Sequence, residues 1–348
     1  MQGVTRIELR SLPYRIIYLL KKIIPSVVFP DDSFFFFRQF KKAVTRIGAK
    51  PDLIISRSAP YSSGVMAKLL ASHYQVPWIM HLSDLWVDSP FFQLTEKEQN
   101  RHQSLEKDCI ETATIVTLTA QKVIEFYQKK YPACSEKFKF LPNVFDPLHV
   151  NKMEMDFSSK LKIVFTGRLY GDRSIHSVVR SFEEAIARYP SLEDRLEITF
   201  AGFFDKKNVD CLNQSALGCF HYLGHISIHQ ARQLQHMAHV LLSIDALESD
   251  PKFDMFFPSK LLDYIAANAF VLCFTGENST THDVIDGVYG KCFSQKNLHQ
   301  FPEFLNMLVH EFENKNRAFF RPGNMDNTYS ASSNVNRLNG MITALVNE

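Results

Sequence analysis

An α/β protein of two domains, each built on a parallel sheet, is what this sequence predicts, and three features predict it. Short apolar runs alternate with amphipathic stretches almost from end to end, the rhythm of βαβ units. The length of 348 residues exceeds what one compact core usually fills. Between Leu141 and Lys160 the periodicity lapses into Pro142, Asn143, Asp146, Pro147 and further polar residues, the marks of a linker. The expected division is a first domain over 1–145, a linker over 146–160, a second domain over 161–330 and a terminal helix over 331–348.

Taken in order, the apolar runs place strands at 53–56, 77–80 and 115–118 in the first half, and at 162–166, 197–201, 240–244 and 270–274 in the second. Apolar positions returning every three or four residues place helices at 62–74, 96–111, 120–130, 174–189, 228–238, 258–268 and 297–314. One helix start is marked by a capping box, Ser227 with Gln230, ahead of Ala231, Leu234 and Met237. That cap, together with Gly224, keeps His221, His225 and His229 off a common helical face, so they read as loop and surface residues and no metal site is expected.

Before the first strand, residues 14–28 carry Ile16, Ile17, Leu19, Leu20, Ile23 and Ile24 among Arg15, Lys21 and Lys22, and Phe34 to Phe37 follow. A basic amphipathic helix with aromatic neighbours either lies on an anionic membrane surface or packs its apolar face on the first domain. The sequence leaves both open, with residues 14–37 as the segment of any peripheral membrane contact.

Composition narrows the remaining classes. The net charge of +2 supplies no global field for gathering nucleic acid, so any recognition of anions must be local. Six cysteines without a C-x-x-C pair, one of them (Cys273) inside an apolar run, fit free buried thiols in a reducing compartment. No apolar run approaches the ~20 residues of a membrane span, and no small-residue cleavage site follows a hydrophobic block at the N-terminus. The expected location is the cytoplasm, at the inner face of the membrane if the N-terminal helix binds lipid.

Two segments carry the chemistry. After the strand ending at Thr166, Gly167 allows close approach of the backbone, and Arg168 and Arg173 offer planar forks to phosphate oxygens. Later, a loop rich in acids (Asp245, Glu248, Asp250, Asp254) leads into Pro258-Ser259-Lys260, a helix start whose amides and dipole suit a phosphate. Asp263 follows one turn on, placed to accept hydrogen bonds from vicinal hydroxyls. If the segments meet at one sheet edge, they form a site for a diphosphate joined to a ribose, as in a nucleotide sugar. No G-x-G-x-x-G fingerprint is present, which argues against a nicotinamide or flavin cofactor.

The order strand, Gly167-Arg168-Leu169, capped helix, apolar strand, Pro258-Ser259-Lys260-Leu261-Leu262-Asp263-Tyr264-Ile265 and a further apolar strand resembles the C-terminal domain of GT-B glycosyltransferases, in particular glycosyltransferase family 4 of the bacterial surface-polysaccharide type. In the first half, Pro51 to Ser56, the loop Ser58 to Ser63 and the stretch Val76 to Trp86 are similar to that group's strands and loops, and Leu141 to Asp146 resembles its hinge.

The resemblance implies two Rossmann-like domains with parallel sheets facing across a cleft. It implies a retaining, metal-independent transfer of a hexosyl group from a nucleotide sugar, as co-substrate, to a glycan or lipid-linked acceptor. By the same resemblance Gly167, Arg168, Arg173, Ser259, Lys260 and Asp263 hold the nucleotide sugar, and Ser58, His81 and Asp84 line the acceptor side. Arg168, Arg173 and Asp84 are the expected catalytic residues, the arginines neutralising the departing diphosphate.

Three departures stand out. Met255 occupies the place of the family's first glutamate, Val144 that of a common hinge glycine, and the chain begins after the family's first strand and its glycine-rich loop. These departures also fit a non-catalytic nucleotide-binding subunit, and the shared architecture a sugar-nucleotide epimerase.

Overall fold

The computed structural model describes residues 11–24, 27–90, 94–145, 154–169, 174–245, 247, 252–321 and 327–347. The chain forms two compact units, Met1–Pro142 with Asn334–Glu348, and Asn143–Ser333.

The first unit carries strands β1 (Ile54–Ser58), β2 (Trp78–Leu82), β3 (Ile115–Leu118) and β4 (Phe138–Phe140), in the spatial order β1-β2-β3-β4, every pair parallel. Ahead of β1 lie α1 (Tyr14–Ile23) and α2 (Phe40–Ile47); the crossovers are α3 (Ser62–Tyr74), α4 (Glu96–Thr112) and α5 (Gln121–Lys130). A capping box opens α4: Thr95 Oγ1 accepts from the Glu98 amide, and Glu98 Oε2 accepts from the Thr95 amide at 3.0 Å. Strands β1 and β2 run two residues past the expected 56 and 80. Parallel pairing of Arg57 with His81 and Ser58 with Leu82 continues the ladder after the apolar run has ended.

The second unit holds β5 (Leu161–Leu169), β6 (Leu196–Phe204), β7 (Phe220–Tyr222), β8 (Val240–Ile244), β9 (Phe270–Phe274) and β10 (Gly290–Phe293), in the order β10-β9-β8-β5-β6-β7, again all parallel. Its helices are α6 (His176–Arg188), α7 (Lys206–Gln214), α8 (Ile228–Met237), α9 (Lys260–Ala267), α10 (Thr280–Ile285), α11 (Phe301–Glu313) and α12 (Arg317–Phe320). Buried phenylalanines fill the space between sheet and helices, with Phe182 and Phe301 edge to face at 5.0 Å. Because β5 pairs with β6 on one side and with β8 on the other, the chain reverses its progress across the sheet there. The carboxyl ends of β5 and β8 therefore flank a topological switch point, where open α/β sheets bind ligands.

Two expectations need correction. Residues 154–160 are not linker: Met155 and Phe157 pack on the core of the second unit, and His239 Nε2 donates to the Asp156 carbonyl at 2.6 Å. Two apolar side chains in a polar run are too sparse to register as periodicity. The rest of the expected linker, residues 146–153, lies outside the described residues. Phe145, expected in the first domain, is buried in the second unit, its amide donating to the Tyr329 carbonyl at 3.1 Å. The terminal helix, α13 (Ala331–Val346), belongs from Asn334 onward with the first unit, where Asn334 Nδ2 donates to the Pro142 carbonyl and the Arg337 guanidinium sits 5.6 Å over the Phe140 ring.

Candidate functional site

In the second unit the two segments singled out in the sequence do meet. A Cβ placed on Gly167 would lie 3.9 Å from Lys260 Cδ, and the Lys260 ammonium stands 4.7 Å over the Phe165 ring. What brings them together is buried hydrogen bonding at Thr166. Its amide donates to Tyr264 Oη at 3.1 Å, and that hydroxyl in turn donates to the Leu242 carbonyl at 3.1 Å, so α9 is pinned to β5 and β8. Burial pushes the Tyr264 hydroxyl up to about 12, so it stays a neutral donor. From α8, Gln235 Nε2 donates to Thr166 Oγ1 at 2.7 Å.

Arg168 follows Gly167 on the last turn of the β5 ladder and is exposed, opposite the equally exposed Phe203 of β6. Gly167 has φ +143° and its partner Gly202 has φ +134°, values that favour glycine. Ser259 sits at the start of α9 with helical backbone angles and no side-chain cap, and Asp263 lies half-buried in the first turn. Arg173 lies outside the described residues, as do Glu248 and Asp250. At the end of β8, Asp245 Oδ2 accepts from Thr281 Oγ1 at 3.1 Å, while its Oδ1 is buried with no partner among the described residues. The loop before α9 is anchored on α10, whose Thr280 donates its amide to the Asp254 carbonyl at 2.7 Å and its hydroxyl to the Met255 carbonyl at 2.8 Å.

In the first unit the expected acceptor-side residues gather at the carboxyl ends of β1 and β2. Ser58 is buried, and its hydroxyl is spent on the His81 carbonyl at 3.3 Å. His81 Nδ1 lies 2.9 Å from Thr117 Oγ1, and burial, with the Arg57 charge adding to it, lowers the imidazole to about 4. Burial raises the Asp84 carboxyl, and the same Arg57 charge opposes the rise. Arg57, whose Nε donates to Ser83 Oγ at 3.3 Å, is thus the cation of this edge. The sequence reading missed it, although Ser56-Arg57-Ser58 alternates with period two across the strand end.

The loop carrying Asp84 is held from below. Tyr61 Oη donates to the Leu85 carbonyl at 3.0 Å, and its ring stacks on Trp86 at 4.4 Å. The Trp86 amide donates to Tyr127 Oη at 3.1 Å, its indole to His102 Nδ1 at 3.1 Å, and the Val87 amide to Glu106 Oε1 at 3.2 Å. Glu106, fully buried, also accepts from Tyr127 at 2.9 Å, Tyr131 at 2.7 Å and the Lys130 ammonium.

The lowered His81 makes a pH prediction. Between pH 6.5 and about 4 the unfolded chain binds a proton at this imidazole that the folded chain refuses. Stability of the first unit is therefore expected to fall on acidification through that window, by up to about 3 kcal/mol, and to level off below it. The raised Asp84 works the other way, since its folded form takes up a proton more readily, and returns part of the loss. Urea unfolding at a series of pH values checks this, and His81→Gln is expected to flatten the profile.

No protein-family model matches the chain, and no curated protein does. Solved structures do. HepE of Anabaena in complex with UDP is similar at TM-score 0.62 and 13% identity, over 88% of this chain and 82% of that one. Sucrose-phosphate synthase of Thermosynechococcus elongatus follows at TM-score 0.59 and 15% identity, over 96% and 80%. A glycosyltransferase of Rickettsia africae matches at TM-score 0.57 and 11% identity, over 98% and 84%. With its two parallel-sheet α/β units of four and six strands, the chain has the GT-B fold.

Proposed function

We propose that the chain is a glycosyltransferase that takes a hexosyl group from a nucleotide-diphosphate sugar and transfers it to a glycan or lipid-linked acceptor in surface polysaccharide synthesis. The observation that carries this reading is the meeting of Gly167-Arg168 with Ser259-Lys260 at the switch point of the second unit. Lys260 and the positive end of α9 lie beside Gly167, the exposed Arg168 follows it in β5, and each of these groups favours an anion where open sheets bind ligands. The solved complexes of HepE with UDP and with UDP-glucose support UDP as the nucleotide to try first.

In this reading Arg168, Arg173, Lys260 and the α9 terminus hold the diphosphate, and Asp263 accepts from ribose hydroxyls. The bond from anomeric carbon to phosphate oxygen breaks as their charges neutralise the leaving group, in a transfer that retains anomeric configuration and takes no metal. The acceptor hydroxyl adds on the same face and gives its proton to the departing phosphate. His81, neutral at physiological pH, and Asp84 serve as hydrogen-bonding groups for that acceptor.

Isothermal titration of UDP tests the donor site. Wild-type protein is expected to bind, and Arg168→Ala to bind about 10- to 100-fold more weakly, the loss of one charge-assisted contact, with unchanged thermal stability because the side chain is exposed. Equal affinities would sink the placement.

A second reading, a nucleotide-binding subunit without transferase activity, is favoured by Met255, whose side chain brings no carboxylate to the loop before α9. It predicts UDP binding with no hydrolysis or transfer of UDP-hexose.

A further inference from the structure

We propose that α1 docks the chain on an anionic lipid surface. The structure divides the apolar side of this helix into a covered stripe and an exposed one, which leaves room for both roles. Ile17 is buried on the first unit, Leu20 is half-buried, and Lys21 is tied to Asp32 at 2.5 Å. Ile16, Leu19 and Ile23, spaced i, i+3, i+7, form a second stripe that faces water and is 44%, 53% and 71% exposed. Arg15 and Lys22, four residues before and three after Leu19, stand exposed along its edge. An aliphatic stripe flanked by cations is the composition of a helix lying in a membrane interface. At ten residues α1 is about 15 Å long, half of what a span requires, and no described helix is long and apolar enough to cross a bilayer.

Charge selects the occupant. Residues 14–50 contain eight Lys and Arg against Asp31 and Asp32, in a chain whose overall excess is only +2. Both acids are engaged within the unit: Asp32 by Lys21, and Asp31 by the Ser33 amide at 2.8 Å and by the amide and hydroxyl of Ser62 at 2.8 and 2.6 Å. The segment thus carries a net excess of cations together with an exposed apolar stripe. A second copy of the chain would bring the same cations face to face, whereas anionic headgroups complement them.

The inference does not depend on the nucleotide reading. Its test is co-sedimentation of the full chain with vesicles of phosphatidylcholine alone and of phosphatidylcholine mixed with phosphatidylglycerol. Binding to the mixed vesicles only is expected, weakening as salt rises. The triple variant Ile16→Ser, Leu19→Ser, Ile23→Ser and the pair Arg15→Glu, Lys22→Glu are each expected to bind at least about tenfold more weakly. All five side chains are exposed, so the thermal transition and UDP titration should not change, which separates failure here from failure of the donor site. Wild-type protein left in the supernatant with both vesicle types, variants that bind like wild type, or a stripe whose loss converts a dimer to a monomer without altering vesicle binding would each overturn the proposal.

Discussion

Gly202→Ala is expected to lower the stability of the second unit by at least about 3 kcal/mol and to abolish UDP binding. A Cβ at this position would sit 1.8 Å from the Gly167 carbonyl oxygen and 2.8 Å from its carbon, so backbone has to move. The backbone at φ +134° is also one that alanine rarely adopts. The two effects add at the edge where Gly167 pairs with Gly202 and Arg168 with Phe203, and strain at such a position belongs to the large class of single-residue effects. Denaturant unfolding together with UDP titration gives the check. A variant that kept wild-type stability and affinity would mean that the close approach of β5 and β6 here is not required.

Glu106→Leu is expected to cost the first unit about 3–5 kcal/mol, the range for breaking a buried ion pair by removing one partner. The substitution takes an acceptor at once from the Lys130 ammonium, two tyrosine hydroxyls and the Val87 amide. Lys130 keeps Asp88, at 2.5 Å, as its second partner, which limits the loss. Glu106→Gln retains an acceptor of similar shape and is expected to lose less. Because the chain has two units, fluorescence of Trp78 and Trp86, both in the first, is the probe that isolates the relevant transition. A loss below about 1 kcal/mol for the leucine variant would show that the loop carrying Asp84 is held by its aromatic packing instead.

Much of the fold was legible because its signals are local. Strands β3, β8 and β9 coincide with their apolar runs, and α3 with its predicted span, since a strand buried on both faces must be continuously apolar. The three short strands β4, β7 and β10 were missed. Phe138-Lys139-Phe140 and Phe220-His221-Tyr222 are too short to show a period, and they become strands only because a neighbour offers a ladder. Helix α7 was missed for a different reason: only Val209, Cys211 and Leu212 interrupt its polar residues, and its start depends on Asp205 accepting from the Asn208 amide.

The candidate site was legible in part. Gly167, Arg168, Ser259, Lys260 and Asp263 were chosen from residue type and from resemblance, and His81 and Asp84 from resemblance. Arg57 escaped notice because nothing in a strand sequence says which exposed cation stands beside a buried histidine and carboxyl. The roles of Gly202, Tyr264 and Glu106 were equally hidden, since each acts on residues 19 or more positions away.

By itself, then, the sequence determined the α/β class, the two parallel sheets and the residue types capable of holding a diphosphate, because apolar periodicity and side-chain chemistry are properties of short segments. Only tertiary structure decided that β5 and β8 are neighbours, that Lys260 lies against Gly167, that burial lowers His81, and that one stripe of α1 is covered while another faces water. Those outcomes depend on strand order and on which surfaces exclude solvent, and both are set by contacts between residues far apart in the chain.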